Sequence, residues 1–225
     1  MALIVYSGGL DSTVLLHYLA KQGRADGALW FNYGQRHLKE LDCAKANCEK
    51  LGIKLDIADI SSLSHLFGDN ALTNPNVDVP TGDYDESNMK TTVVPNRNMI
   101  FIAIATARAI ALGTDSVAYA AHSGDHSIYP DCRPEFADAL NNVLNICHYT
   151  PIKLERPFVN MTKTDIIALG YELGVDFDLT WSCYNGLDEP CHKCATCIER
   201  DQAFQSFYKK GTGVFYMKGT GKRLP

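Results

Sequence analysis

No stretch of this chain is long and apolar enough to span a membrane: the longest apolar run, Met99 to Leu112, contains Arg108 and falls short. No secretory signal is visible, because the first apolar run is short and Ser7-Gly8-Gly9 interrupts it. Positive charge is not in excess. Lys and Arg number 21 against 26 Asp and Glu, a formal net charge of −5, so nothing general attracts a nucleic-acid backbone. The basic stretch Lys218 to Arg223 is too small to reverse this and reads as a solvated or partly disordered end. No internal repeat appears. The expectation is a cytoplasmic protein with neither membrane nor nucleic acid as a direct partner. Eight cysteines without a signal then point to metal or catalysis rather than disulfides.

What is present fits an ordinary globular chain: 225 residues, 46% hydrophobic and 21% charged, enough for one domain with an appendage. The chain is organised around Val5-Tyr6-Ser7-Gly8-Gly9-Leu10-Asp11-Ser12-Thr13. Ala2 to Val5 reads as a buried strand that empties through two glycines into a helix beginning near Leu10. A helix N-terminus offers unpaired N–H groups and a positive dipole end, and glycine lets anion oxygens approach the backbone. Ser7, Ser12 and Thr13 add hydroxyl donors. No Gly-Lys-Ser/Thr follows, so this is not a Walker loop. An ordinary Gly-rich strand–helix turn is the plainer alternative.

Farther along, apolar residues at Leu10, Val14, Leu15, Tyr18 and Leu19 predict a helix to Gln22. Strands are expected at 27–33 and 53–57, with a surface helix over 36–51 between them. This alternation argues for a parallel sheet with right-handed crossovers. The pattern dissolves between Ser61 and Thr92, and a loop that long reads as a lid or a disordered segment. The helix from Met99 to about Leu112 is apolar nearly all round, which places it in the core. A strand over 116–120 follows. It leads into a polar segment from Ala121 to Phe136, where ligands of open α/β sheets bind. A helix over 134–147, an extended piece over 152–159 and a helix opened by Thr162-Lys163-Thr164-Asp165 complete the core. His122 and His126 read as proton shuttles or as solvated loop residues.

The last quarter differs. Cys191, Cys194 and Cys197 form a Cys-x-x-Cys-x-x-Cys run with Cys183 just upstream, and four thiolates suit structural Zn²⁺. An iron–sulfur cluster is the competitor, but the usual proline after the last cysteine is missing. His192 follows a ligand directly, which points it away. Cys43, Cys48 and Cys147 read as packing residues, and Cys132 lies in the polar loop. A helix over 198–208 closes the ordered part.

The opening loop resembles the Ser-Gly-Gly-x-Asp-Ser loop of the ATP pyrophosphatase superfamily. Nearly end to end, the chain resembles the 7-cyano-7-deazaguanine synthase family. The likeness rests on Ser7 to Thr13, on Phe31-Asn32-Tyr33-Gly34-Gln35-Arg36-His37 and on Val94-Pro95-Asn96-Arg97-Asn98. It continues through Asp125, Tyr129-Pro130-Asp131-Cys132-Arg133-Pro134-Glu135-Phe136, Cys183-Tyr184-Asn185-Gly186 and the cysteine triplet. The resemblance implies a Rossmann-like α/β core (adenine nucleotide α-hydrolase, or PP-loop, type). ATP-binding residues would fill 1–177, with a loop or lid near 61–96, and a zinc-binding helical segment would fill 178–225. It implies an ATP-dependent carbon–nitrogen ligase that adenylates 7-carboxy-7-deazaguanine, converts it to the amide with free ammonia, and dehydrates the amide to the nitrile. The product would feed queuosine-type or DNA modification, and the family suggests a homodimer.

Residue by residue, Tyr6, Ser7, Gly8, Gly9, Leu10, Asp11, Ser12 and Thr13 would hold ATP. Asp11 either binds Mg²⁺ or caps its helix. Arg97 suits a phosphate or carboxylate. Asp11, Arg97, Asp131 and Arg133 are the expected catalytic residues. Asp125, Tyr129, Asp131, Arg133 and Glu135 would meet the deazaguanine, although Asp131 to Glu135 also read as caps of the next helix. One departure stands out: Asn96 occupies a position where the family usually has glycine. Asn is the commonest other residue at positive φ, so the backbone shape can survive. This residue leaves open an enzyme that stops at the amide, and a PP-loop ligase with another acceptor is the further alternative.

Overall fold

The computed structural model describes residues 1–83, 89–127 and 129–210, and the basic stretch near the end lies outside them. Five parallel strands form one sheet in the order β3-β2-β1-β4-β5. They are β1 (Ala2–Val5), β2 (Ala25–Asn32), β3 (Leu55–Asp59), β4 (Ser116–Ala118) and β5 (Lys153–Glu155). Among the described residues, six α-helices accompany them: α1 (Leu10–Lys21), α2 (Lys39–Leu51), α3 (Arg97–Leu112), α4 (Pro134–Ile146), α5 (Lys163–Leu173) and α6 (Ala195–Lys210).

Strand alternation sorts the core into two layers. Leu3, Leu29 and Phe31 face one way and pack with α3 and α4 through Phe101, Ile102, Ala105 and Leu140. Ala2, Ile4, Ala28 and Trp30 face the other way and pack with α1, α2, α5 and α6 through Val14, Cys48, Ile166 and Ala203. Helices therefore cover both faces, the Rossmann-like α/β arrangement expected from sequence. The chain runs from β1 outward to β3 and then returns to β4 on the other side of β1. This reversal opens a crevice beyond the carboxyl ends of β1 and β4, where a doubly wound sheet binds ligands.

Several element boundaries shift for local reasons. The α2 helix starts at Lys39 rather than 36, because Gln35 folds back, donating to the Phe31 carbonyl at 2.8 Å and accepting from the Tyr33 N–H at 2.8 Å. The β3 strand starts at Leu55 because Gly52, at φ 65°, and the Ile53 N–H close the α2 C-terminus onto Cys48 O. The α3 helix is not enclosed all round as its composition suggested. It lies on the sheet with Phe101, Ile102, Ala105 and Ala109 inward, leaving Met99 and Leu112 43% and 40% exposed. Cys43 is partly buried and Cys48 buried in α2, but Cys147 is exposed at the end of α4, contrary to the packing role expected.

The 61–96 stretch is anchored over much of its described length. Asn70 is buried and holds the Leu72 and Thr73 N–H groups with its side-chain oxygen. Arg36 donates to the carbonyls of Asn74 and Val77 at 2.7 and 2.9 Å. Thr81 forms an antiparallel bridge with Cys194, and the Gly82 N–H reaches Lys193 O at 2.8 Å.

Candidate active site

The loop after β1 is shaped by its glycines. Gly8 has φ +87°, and a Cβ there would stand 2.0 Å from the carbonyl oxygen of Glu40, so only glycine lets the start of α2 pack on the loop. Gly9 caps α1 with no side-chain bond, which leaves the N–H groups of the first turn to face the cavity. Ser7 and Ser12 are tied together, Oγ to Oγ, at 3.0 Å, and Ser7 Oγ also accepts the Gly9 N–H at 3.0 Å. Trp30 Nε1 donates to Ser7 O at 3.0 Å and the Trp181 N–H to Gly8 O at 3.1 Å, pinning the loop from β2 and from the C-terminal quarter. Tyr6, Ser7, Gly9, Leu10, Asp11 and Ser12 line the cavity. Thr13 does not; it is wholly buried behind the loop, its hydroxyl 3.1 Å from Tyr6 OH.

An acidic group with one lysine stands at the α1 end. Lys163 Nζ lies 2.6 Å from Glu199 and 3.6 Å from Asp11 Oδ2. His122 Nε2 lies 3.7 Å from Asp11 and 3.5 Å from Asp125. His122 is 1% exposed, so it is not a solvated loop histidine. Burial works against the Lys163 charge, but Asp11, Glu199 and Asp125 outweigh it and hold the ammonium above its usual range. Burial raises Asp125. Asp11 Oδ1 is buried without a hydrogen-bond partner, so this carboxylate has a free ligand position for a cation. His126, in contrast, leaves Nε2 buried and unpartnered.

The opposite wall is aromatic around a single guanidinium. Arg97 sits 5.9 Å from the Tyr129 ring centre, and Tyr129 OH lies 3.4 Å from Tyr184 OH. Burial opposes the Arg97 charge, but the oxygens of Tyr33, Tyr184 and Tyr129 and the Asp131 carboxylate prevail and keep it firmly protonated. Phe31 stacks flat on Phe101 at 4.2 Å beneath Tyr33. Asn96 takes φ 57°, ψ 26°, the left-handed geometry that glycine adopts most readily. Its side chain does not cap α3. The carboxylate of Asp131 does so instead, accepting the Asn98 N–H at 2.9 Å.

Of the polar loop, Asp125, Tyr129 and Cys132 line the cavity, whereas Asp131, Arg133 and Glu135 are not among its lining residues. Asp131 is committed to α3, and Arg133 Nε donates to His126 O at 2.8 Å. Arg133 and Glu135 flank Pro134 at the start of α4, where a carboxylate complements the dipole.

Sequence reasoning missed four residues of this wall and floor. From sequence, Lys163 reads as part of a helix start and Glu199 as part of a closing helix, while the His37 motif carries no role of its own. Glu40 was assigned to a surface helix face. It is instead held inward, 3.5 Å from His37, and burial pushes its carboxyl up to about 8 against the pull of Arg97. His37 is 2% exposed and is driven down to about 3, chiefly by burial and then by Arg97. The signal available was the first-turn position of Glu40, one helical turn after His37.

Cys183, Cys191, Cys194 and Cys197 bring their sulfurs within 4.8 Å of one another. A tetrahedral thiolate shell with metal–sulfur bonds of ~2.3 Å sets its sulfurs ~3.8 Å apart, so the set fits a metal ion. The Cys194 N–H and Asn185 Nδ2 approach Cys191 Sγ at 3.3 and 3.2 Å, as befits a thiolate. His192 is turned outward at φ 53°, 3.4 Å from Asp201.

The chain is similar to known proteins along most of its length. The family model described as "Queuosine biosynthesis protein QueC" matches residues 1–208. A 7-cyano-7-deazaguanine synthase of Alteromonas mediterranea is 49% identical over 202 residues, covering 90% of this chain and 92% of that protein. Another, from Caldicellulosiruptor bescii, is 50% identical over 204 residues, covering 91% and 92%. Among solved structures, the U34-tRNA thiolase NcsA from Methanococcus maripaludis with its [4Fe-4S] cluster shares the fold, with a TM-score of 0.51 at 16% identity, over 94% of this chain and 66% of that one. With a family model matched over residues 1–208 and relatives of near 50% identity along nine-tenths of its length, the chain belongs to the queuosine biosynthesis protein QueC family.

Proposed function

We propose that the chain makes 7-cyano-7-deazaguanine from 7-carboxy-7-deazaguanine, ammonia and ATP. One observation carries the reading: a single cavity has an anion-binding loop on one wall and an arginine framed by tyrosines on the other. ATP lies on Ser7, Gly9 and the α1 N-terminus, whose N–H groups and hydroxyls hold the departing pyrophosphate, where charge builds up. Lys163 adds a fixed positive charge beside it. Asp11, with its free oxygen, would hold Mg²⁺, which would neutralise phosphate charge when bound. Arg97 binds the substrate carboxylate, Tyr129 and Tyr184 stack on the flat deazapurine, and Asp125 accepts from its N–H groups. Asp131, Arg133 and Glu135 fix the loop and the start of α3 rather than touching substrate.

A carboxylate is a poor electrophile until one oxygen becomes a leaving group, and adenylation supplies that. Ammonia then forms the amide, and a second adenylation, on the amide oxygen, allows dehydration. With Asn96 in the glycine-like conformation, the turn before Arg97 keeps its shape, which favours the nitrile as end product. The four thiolates hold Zn²⁺ in a structural role. No described helix is long and apolar enough to cross a membrane, in keeping with a cytoplasmic enzyme. Exposed Val143, Ile146 and Tyr149 near the end of α4 offer apolar surface for a homodimer. The product serves tRNA of the queuosine type or modified DNA.

Incubating the protein with ATP, Mg²⁺, ammonium and the carboxylate, and weighing the product, tests the reading. The nitrile mass is expected. Accumulated amide would establish an enzyme that stops halfway, and no turnover at all would sink the assignment.

A further inference from the structure

Glu40 stands where the two halves of the cavity meet. It lies in the first turn of α2, its Oε1 3.5 Å from where a Cβ on Gly9 would be, so it borders the anion loop. Its Oε2 lies 3.5 Å from His37 Nε2, and Glu40, His37, Gly9 and Arg97 line the same cavity. The charged and titratable groups around it are His37 on the preceding turn, Arg97 from α3, Tyr33 just after β2 and Cys43 on its own helix. Among the described residues, no hydrogen bond holds the Glu40 side chain beyond the long contact with His37. His37 is neutral, and with Nε2 donating to an ionised Glu40 its other nitrogen, Nδ1, is left as an acceptor. That atom is buried and has no partner. His37 Nδ1 and Glu40 Oε1, acceptors with no donor among the described residues, lie beside the anion loop and the arginine and suit a small molecule rich in N–H groups. Ammonia is one.

We propose that Glu40, oriented by His37, is the general base that takes a proton from ammonia as it attacks the adenylated carboxylate; this rests on the reaction proposed above. The nitrogen lone pair forms the C–N bond while the carbonyl π pair moves to oxygen. Glu40 removes one proton from the resulting ammonium-type nitrogen. The oxygen pair re-forms C=O, the C–O bond to AMP breaks, and AMP leaves with those electrons. A carboxyl raised by burial to about 8 is a stronger base than an ordinary carboxylate and keeps an ionised fraction near neutral pH, which the α2 N-terminus and Arg97 favour. Glu40 can therefore accept the proton and return it to solvent within each turnover.

Glu40→Gln tests this through three rates: exchange of labelled pyrophosphate into ATP with the carboxylate and no ammonia, product formation from ammonia, and hydroxamate formation from hydroxylamine. Hydroxylamine is the stronger nucleophile, and its addition product loses its proton readily to water. Exchange should stay within about threefold of the parent, while the ammonia rate falls about a hundredfold or more and the hydroxylamine rate less than about tenfold. Glu40→Asp should recover part of the ammonia rate. An undiminished ammonia rate in Glu40→Gln, equal losses with both nucleophiles, or loss of exchange would each overturn the assignment. Failure of the parent protein to exchange or to form product counts instead against the overall reaction.

Discussion

Single buried side chains set how stability follows pH. Burial drives His37 down from an ordinary value of 6.5 to about 3, so the unfolded chain takes up a proton below pH 6.5 that the folded chain refuses. Its contribution is whole above that value and is lost as pH falls towards 3. Glu40 runs the other way: raised from 4.5 to about 8, it favours the folded state at low pH and costs stability progressively between those values. His37→Gln should flatten the acid limb of urea unfolding between pH 6.5 and 3, and Glu40→Gln should flatten the loss between pH 4.5 and 8. Limbs unchanged in both variants would show that neither group titrates as buried. At this scale the sequence is unevenly legible. Asn96 revealed its left-handed backbone, because few residues tolerate φ 57°. Glu40 did not reveal its burial, because a polar helix read alone cannot say which turn a neighbouring loop will cover.

Between elements, the decisive contact is that of the β1–α1 loop with the start of α2. Gly8 is needed twice over, for φ +87° and for the 2.0 Å approach that a Cβ would make to Glu40 O. Gly52 is also left-handed, at φ +65°, but has nothing within 4 Å of its would-be Cβ. Gly8→Ala should push α2 off the loop and lower kcat/KM for ATP about a hundredfold, the scale expected from an ångström of misplacement. Gly52→Ala should cost about 1–2 kcal/mol in unfolding and leave kcat/KM alone. Equal kinetic losses in the two variants would refute a special role for the Gly8 contact. The helices and strands themselves were largely readable from period and turn chemistry. Their ends were not, where a cap came from elsewhere: Gln35 delays α2, and the carboxylate of Asp131, 33 residues downstream of Asn98, completes α3. Local sequence carries no mark of a donor satisfied at that distance. For the same reason Asp131 looked like a ligand for substrate.

For the whole molecule, the cysteine cluster governs one side of the site without lining it. Its sulfurs join Cys183 to the 191–197 run, and Trp181, Ser182, Tyr184, Thr196 and Glu199, all lining the cavity, lie within three residues of a sulfur ligand. Trp181 holds Gly8 O with its N–H and Cys183 O with its indole nitrogen, at 3.1 and 2.8 Å. Gly82 and Thr81 dock on Lys193 and Cys194, so the same cluster also anchors the 61–96 stretch. Sequence announced the four thiols plainly but not this coupling, which depends on segments about a hundred residues apart meeting at one knot. The far end of α6 is secured otherwise, by Phe207 stacked on Tyr171 at 4.9 Å and Phe204 against Phe177. Stripping the metal with a chelator should therefore release a graded part of the structure. Amide exchange should accelerate by about a hundredfold or more at Trp181, Gly82 and the first turns of α6, while β1 and β4 stay protected and the second half of α6 changes little. Pyrophosphate exchange should fall in step, because the Trp181 bond to the phosphate loop is lost with the cluster. One equivalent of zinc by elemental analysis, and recovery of both signals on adding it back, would identify the ion. Full protection and full exchange activity in the metal-free protein would show that the thiols neither hold the wall nor set the loop.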